Sequence, residues 1–535
     1  MSAAGGRARL RRPAPPAFAL LAGGAALALT LAATLGAAAA AWLRGGAGWP
    51  RLAGPDWRAV EFTLLQASLS AALSILGGAA LALALSRRRF PGRETAVLLL
   101  GAPFLLPVIS AAFGIAAVWG RSGWVSDGLA VLGLPRLDVY GLPGILLAHV
   151  FFNLPLAARI FLDGLRAVPA ERRRLAESLG LGPWAGLAHV EGPVLRRLAP
   201  GAFAVIFLIC AGSFAAVLAL GGGPRSATLE LAIYEAVRLD FDLPRAAGLA
   251  LVQTALCLSA GAAALALAAP PAAGPGLPPA PARAPGGVWR ALDLGALLGV
   301  ALFLGAPLAA VVARGAAALP ELPSSVWAAA GRSLALGLGA AALAVPLAAG
   351  LAALVIALER TGRRAAASLT EGAALLALAA SPLVMGLGLW VTLDAAGLDP
   401  FALALPAVGA INAVMALPFA LRLTLPALRE AVAAHGDLAD QLGLRGLAWA
   451  RHVVAAPLAR PAGFAAGLSA ALAAGDLGAI ALFAPADAPT LPLMIGRLMG
   501  AYRMDQAAAA ALLLLALSLV LFRVVERSVR AALAP

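Results

Sequence analysis

Twelve apolar runs of roughly 20 residues, the length a helix needs to cross the hydrocarbon core of a bilayer, dominate this chain of 535 residues. They extend from Ala17 to Trp42, Ala59 to Ser86, Thr95 to Trp119, Leu142 to Leu162, Pro200 to Leu220, Ala246 to Ala269, Ala291 to Val312, Ser333 to Ala357, Ala374 to Leu393, Phe401 to Leu421, Pro461 to Phe483 and Ala507 to Phe522. Backbone groups in lipid must be satisfied within the segment that carries them, and the runs are too long for barrel strands, so each is expected to be a helix. A composition 62% hydrophobic and only 12% charged excludes a water-facing globular surface. The fold class that follows is an all-α polytopic membrane protein.

The chain also repeats itself. Pro155, Arg159, Leu165, Gly180, His189 and Val190 recur in order as Pro418, Arg422, Leu428, Gly443, His452 and Val453, 263 positions later. Such a repeat means two copies of one membrane module, six spans each, in the same orientation about an axis along the membrane normal. Between the sixth and seventh runs lies PPAAGPGLPPAPARAPGG, residues 270 to 287, with the proline, glycine and alanine content of an extended spacer.

Every one of the 40 basic residues is arginine, giving a net charge of +14. The arginines gather in loops on one side, the bias of the positive-inside rule, which puts both termini in the cytosol. The basic charge is therefore topological, and nucleic acid is not an expected partner. Arg7, Arg9, Arg11 and Arg12 precede the first run, which is too long for a signal peptide and is read as a retained helix. The turns Arg87 to Arg89 and Glu359 to Arg364 read as topology anchors without further function. Cys210 and Cys257 fall within apolar runs, and the four histidines form no ligand spacing with cysteines or carboxylates, so neither a metal site nor a catalytic constellation is expected. With no lysine in the chain, a phosphate-binding loop is excluded. If ATP drives this protein, another subunit hydrolyses it, and no cofactor belongs to this chain.

Residues 171 to 197 read ERRRLAESLGLGPWAGLAHVEGPVLRR, and residues 434 to 460 read AHGDLADQLGLRGLAWARHVVAAPLAR. Each predicts a short helix, a glycine that ends it, a second short amphipathic helix, and a proline before the next span. This pattern resembles the cytosolic "EAA" loop of ABC importer permeases: Glu-Ala-Ala, a glycine four residues on, nine residues, a β-branched residue, then Leu-Pro. Gly180, Val190 and Pro193 keep that spacing, as do Gly443 and Val453. Arg174, Leu175, Ala176 and Asp437, Leu438, Ala439 stand where the family has Glu-Ala-Ala, and Pro457 sits one residue late. The resemblance implies that each loop inserts into a groove on one of two copies of an ATPase subunit, which binds ATP and magnesium. An interfacial helix lying on lipid headgroups is the alternative.

The resemblance covers nearly the whole chain and is nearest to fused permeases of thiamine and thiamine pyrophosphate importers. It is carried further by GGGPRSATLELAIYEAVRLDFDLPRAAGLAL at 221 to 251, GDLGAIALFA at 475 to 484 and LMGAYRMDQAAAAALLL at 498 to 514. Ferric-iron permeases share the fused two-loop architecture. The implied organisation is two tandem type I importer modules. Residues 1–58 hold the amino-terminal tail, first helix and external loop, and residues 59–269 the first module. Residues 270–290 form a linker, 291–326 the seventh helix and its external loop, 327–525 the second module, and 526–535 a cytosolic tail. Asp476 lies inside the eleventh run, where an ionisable group costs roughly 2.5 to 3.5 kcal/mol on insertion scales, and its first-half counterpart is Ser213. Asp476 either faces the translocation path or bonds a backbone group freed where Gly475 and Gly478 loosen the helix. External segments with Tyr234, Glu235, Asp240, Phe241, Asp242, Tyr502 and Arg503 are candidates to receive a periplasmic binding protein. An ion-coupled secondary transporter is the competing class; it calls for several intramembrane charges, and Asp476 is the one candidate. The expected location is the bacterial inner membrane.

Overall fold

The computed structural model describes residues 17–33, 52–267, 286–379, 381–444, 446–485 and 487–534. Arg7 to Arg12, the end of the first run and nearly all of the spacer lie outside the described residues. The first half contains α1 (Ala17–Leu31), α2 (Gly54–Arg87), α3 (Arg93–Leu99), α4 (Val108–Trp119), α5 (Trp124–Val131), α6 (Leu142–Arg166), α7 (Ala170–Ser178), α8 (Pro183–Gly186), α9 (Gly192–Ala211), α10 (Ala215–Leu220), α11 (Leu229–Arg238) and α12 (Leu243–Ala266). The second contains α13 (Val288–Ala318), α14 (Ser324–Arg360), α15 (Arg364–Ala379), α16 (Pro382–Ala395), α17 (Ala404–Gln441), α18 (Gly446–Trp449), α19 (Ala455–Ala474), α20 (Gly478–Phe483), α21 (Leu491–Gly500) and α22 (Met504–Leu533). Among the described residues ten helical stretches are long and apolar enough to cross a membrane, with shorter apolar helices at α1, α16 and α21. The protein is a polytopic all-α membrane protein of about twelve spans.

The sequence repeat is a structural repeat. The ends of α7 and α17, the starts of α8 and α18, the ends of α9 and α19, and both ends of α10 and α20 all fall 263 residues apart. Four runs expected as continuous helices are broken, at matching places in the two halves. The third run divides between α3 and α4 through a 3-10 turn at Ala102–Leu105, where Pro103 and Pro107 supply no amide hydrogen to a helical ladder. The ninth divides at Ser381, the N-cap of α16. The fifth and eleventh divide at Gly212 to Phe214 and Gly475 to Leu477, leaving α10 and α20 as separate single turns and a half. Hydropathy runs through all four breaks because the residues that make them are themselves apolar or small.

The first helix of each half reaches across to the other: α1 lies against α14 and α15, and α13 lies against α2 and α4 as well as against α22 of its own half. In lipid no hydrophobic force drives helices together, so close backbone approach over small residues carries the packing. A Cβ added at Gly23 would sit 2.5 Å from the Leu354 Cβ and 2.6 Å from the Gly350 carbonyl oxygen, which fixes the α1 and α14 crossing. Gly114 of α4 approaches the Pro307 carbonyl of α13 to 2.5 Å in the same sense, and Gly467 of α19 the Phe522 carbonyl of α22 to 2.6 Å. Replacing any of these three by a larger residue forces helices apart.

Candidate functional site

The paired loops fold alike. In the first, α7 ends in a Schellman motif: the Leu181 amide donates to the Ala176 carbonyl at 3.0 Å and the Gly180 amide to the Glu177 carbonyl at 3.0 Å. In the second, the Leu444 amide donates to the Ala439 carbonyl at 2.9 Å and the Gly443 amide to the Asp440 carbonyl at 3.2 Å. The glycines take φ of +63° and +67°, the left-handed conformation that only glycine enters without strain. A Cβ at either would meet nothing within 4 Å, so conformation alone, and not space, demands glycine. A single π turn follows in each copy, Leu187–Glu191 and Ala450–Val454, and it turns Val190 and Val453 inward to burial.

Two expectations about the loops are corrected. The segment before Gly443 is the last two turns of the 38-residue α17, because nothing there matches the Val168 and Pro169 that interrupt the chain before α7. Pro193 lies within the first two positions of α9, where its missing amide costs nothing, and Pro457 lies in the first turn of α19. Neither proline breaks the chain, so the short second helix runs through the π turn into the span.

Arg174 and Asp437 are exposed, as are Gly180, Gly443, Pro193 and Pro457, while Ala439 is buried and Ala176 half-buried. Leu175 and Leu179 are 58% and 66% exposed, and their counterparts Leu438 and Leu442 56% and 65%. Residues four apart share one helix face, so each loop carries a matched pair of apolar side chains pointing away from the bundle.

The moorings of the two loops differ, and here sequence reading missed the main residues. Arg87, read as a topology anchor, is buried and grips Glu191 with both ends of its guanidinium, Nε to Oε1 at 3.1 Å and Nη2 to Oε2. Asp293 of α13 lies 3.7 Å from Arg87 and accepts from Arg88 Nε at 2.6 Å. The Arg87 guanidinium also stands 5.2 Å over the Trp289 ring, which meets Trp184 of the loop edge-on at 4.6 Å. Burial pushes the neighbouring Arg173 guanidinium below its usual range, against the pull of Glu191 and Glu177; it donates to the Leu165 carbonyl at 2.7 Å. The second loop is held by Arg360 to Asp440, and by Arg429 to Glu359 at 2.6 Å and Glu371 at 2.9 Å.

Deep in the bundle, the break between α19 and α20 sits between the breaks of the other spans. Gly475 packs on Pro107 and Gly478 on Pro382. Asp476 lies in that break: its Oδ1 accepts the Gly478 amide at 3.0 Å and its Oδ2 accepts Asn412 Nδ2 at 3.2 Å. Of the two roles weighed for Asp476, bonding a freed backbone group is the one its geometry shows. Ser213 occupies the first-half break, its amide donating to the Cys210 carbonyl at 3.3 Å; α10 has no side-chain cap.

Around Ser213 the first half buries a polar group absent from the second. Gln66 Nε2 donates to the Cys210 carbonyl at 3.0 Å and Gln253 Nε2 to the Ala211 carbonyl at 3.1 Å. Ser70 and His149 Nδ1 are 3.0 Å apart. Fully buried Glu230 accepts from Ser381 Oγ at 2.6 Å, while Ser381 Oγ accepts the Leu383 amide at 3.1 Å and caps α16. This bond joins the halves. At the repeat distance His149 faces Asn412, so the repeat marks that position as polar in both halves, while the other members show only as polar residues in a largely apolar sequence.

At the opposite end, Tyr234 packs its ring on Phe214 at 5.2 Å, the Asp242 side chain caps α12, and Arg245 bonds Asp56 at 2.8 Å and Asp240 at 2.7 Å. Among the described residues Phe241 and Tyr502 are the non-glycine residues with positive φ.

No protein-family model matches the chain. Among solved structures, a bacterial ABC transporter involved in the import of the acidic polysaccharide alginate aligns with a TM-score of 0.34 and 15% identity over 40% of this chain and 78% of that one, too slight a likeness to bear on the fold. Curated relatives are far nearer. The thiamine transport system permease protein of Brucella abortus is 39% identical over 521 residues, 96% of this chain and 93% of that protein. The protein of that name in Salmonella typhimurium is 38% identical over 534 residues, 97% and 98%, and that in Escherichia coli 39% over 481 residues, 88% and 89%. More than a third identical along nearly its whole length, this chain belongs to the family of thiamine transport system permease proteins.

Proposed function

We propose that the chain is the membrane-spanning subunit of a binding-protein-dependent ABC importer, moving thiamine and thiamine pyrophosphate inward across the bacterial inner membrane. The observation that carries this reading is the pair of loops with one backbone geometry in a chain whose relatives bear the thiamine transport name. Two ATPase copies dock on the two loops, each receiving one exposed leucine pair in an apolar groove. ATP and magnesium bind there, because this chain has no lysine for a phosphate-binding loop. Both termini lie in the cytosol, with the loops.

Closure of the ATPases pulls the loops together, and α9 and α19, continuous with them through the π turns, carry the motion to the breaks at Ser213 and Asp476. The halves then rock about that region between inward- and outward-open states. Asp476, which accepts the Gly478 amide at the start of α20 in a span that has to bend, marks the path together with Ser213 in the matching break of the first half.

The test is uptake of labelled thiamine and labelled ferric iron by matched cells with and without this chain, the ATPase and candidate binding proteins being present. Thiamine uptake that needs both the chain and a hydrolysis-competent ATPase is the expected result. Iron uptake alone reassigns the cargo, and uptake that survives loss of the ATPase replaces the mechanism with an ion-coupled one.

A further inference from the structure

The polar cluster of the first half has acceptors to spare. Gln66, Glu230 and Gln253 are fully buried, and each commits one atom. The two amide nitrogens donate to the consecutive Cys210 and Ala211 carbonyls, and Glu230 Oε2 accepts from Ser381 Oγ. The other oxygen of each side chain, Gln66 Oε1, Glu230 Oε1 and Gln253 Oε1, has no hydrogen-bond partner. These side chains are neighbours. Gln253 faces Glu230, and Thr63, less than a turn before Gln66 on α2, accepts the Leu229 amide at 2.9 Å. A buried acceptor left bare is costly, and three around the end of α9 form a surplus suited to a ligand with positive charge and N–H donors.

The second half builds the same scaffold without them. Ser333 Oγ accepts the Leu491 amide at 3.0 Å, the counterpart of Thr63 on Leu229. Counted from these bonds, Leu336 stands in place of Gln66 and Pro492 in place of Glu230. Counted from the N-caps Asp242 of α12 and Arg503 of α22, Leu514 stands in place of Gln253. All three replacements are buried. Apolar side chains therefore satisfy the packing, and the polar set is not demanded by it. Ionisable groups buried at membrane depth mark function by default.

The set also lies at the seam between the halves. Ser381 covers the Glu230 carboxylate from the second half, and the next residue, Pro382, packs on Gly478 beside Asp476. Both Asp476 oxygens are taken, by the Gly478 amide and by Asn412, so of the two carboxylates only Glu230 has an oxygen to offer. Tyr234, four residues on, shares its face of α11 and packs on Phe214 in the break, which adds aromatic surface suited to a cation.

We propose that Gln66, Glu230 and Gln253 form a one-sided recognition site for an organic cation bearing N–H donors, met by cargo as the halves part, with Ser381 as the lid that occupies the carboxylate when they close. This rests on the importer reading, since thiamine carries a charged thiazolium and an amino group. The cation displaces the Ser381 hydroxyl and the bare oxygens gain donors; the hydroxyl returns when cargo leaves.

Binding of labelled thiamine and of its uncharged thiophene analogue to the permease with its ATPase in lipid nanodiscs, without binding protein, tests the site. Wild type is expected to prefer the cation about tenfold or more. Glu230→Gln keeps the shape and a bond to Ser381, and is expected to lose that preference at an unchanged melting temperature. Gln253→Leu, the residue of the other half, weakens thiamine binding while the melting temperature holds or rises. Ser381→Ala frees the carboxylate and binds thiamine at least as tightly as wild type. No saturable thiamine binding by wild type, or a cation preference that survives Glu230→Gln, overturns the site. Competition by sodium or potassium assigns the oxygens to an inorganic ion and overturns it too. So does a melting temperature lowered alike in Glu230→Gln and Ser381→Ala with the preference intact, which makes their bond a structural tie. Uptake into liposomes with the loaded binding protein separates the two readings. If wild type takes up no thiamine, the importer reading falls; if it does and the variants bind as wild type, the site alone falls.

Discussion

The two loops have one backbone and two kinds of mooring. Their glycines differ by 4° in φ, at +63° and +67°, and their exposed leucines by a few per cent in accessibility. The first loop, however, is fastened across the halves. Arg87 joins Glu191 to Asp293, with side chains 4%, 10% and 5% exposed, and Trp184 leans on Trp289 of α13. The second is fastened within its own half by Arg360 and Asp440, each 29% exposed. What faces outward is repeated, and what faces inward has diverged. That is the pattern expected where identical partners read both outer surfaces while each half solves its own packing.

The comparison is sharpest where burial differs. Arg87→Ala leaves Glu191 buried without its counter-charge while Asp293 keeps Arg88 at 2.6 Å, and the loss of one partner of a buried pair costs about 3–5 kcal/mol. It is expected to lower the melting temperature of the detergent-solubilised protein markedly and to loosen the first loop to proteolysis. Next come Gly180→Ala and Gly443→Ala, each expected to cost ~1 kcal/mol through the left-handed backbone alone, with Asn gentler than Ala at both. Equal effects in the two loops support a shared geometry, and a large effect in one loop breaks it. The smallest change belongs to Arg360→Ala, at or below about 1 kcal/mol, because a half-open pair is screened by water. A loss at Arg360 as large as that at Arg87 removes the contrast between the moorings.

What the sequence made legible follows from how local each signal is. Gly180 and Gly443 were found because a helix followed by glycine specifies its own turn through bonds no more than five residues long. The spans were found because apolar length is a local property. Arg87 was misread as a surface anchor because its partners lie far off in sequence, Glu191 by 104 positions and Asp293 in the other half. The breaks at Pro107 and Ser381 were invisible to hydropathy, and what holds them is tertiary: Gly475 against Pro107, and Glu230 of the other half on the Ser381 cap. Asp476 was conspicuous as a lone charge in an apolar run, but its bond to Asn412, 64 positions away, required the fold.

The central claim is that the two loops are equivalent docking surfaces for two ATPase copies. Native mass spectrometry of the purified complex tests it most directly, using wild type, Leu175→Asp with Leu179→Asp, and Leu438→Asp with Leu442→Asp. Two ATPase copies per chain in wild type, and weakened retention to a similar degree in either double variant with the melting temperature of the chain unchanged, are the expected results. One copy per chain in wild type, or two copies held as tightly by both variants as by wild type, contradicts the account.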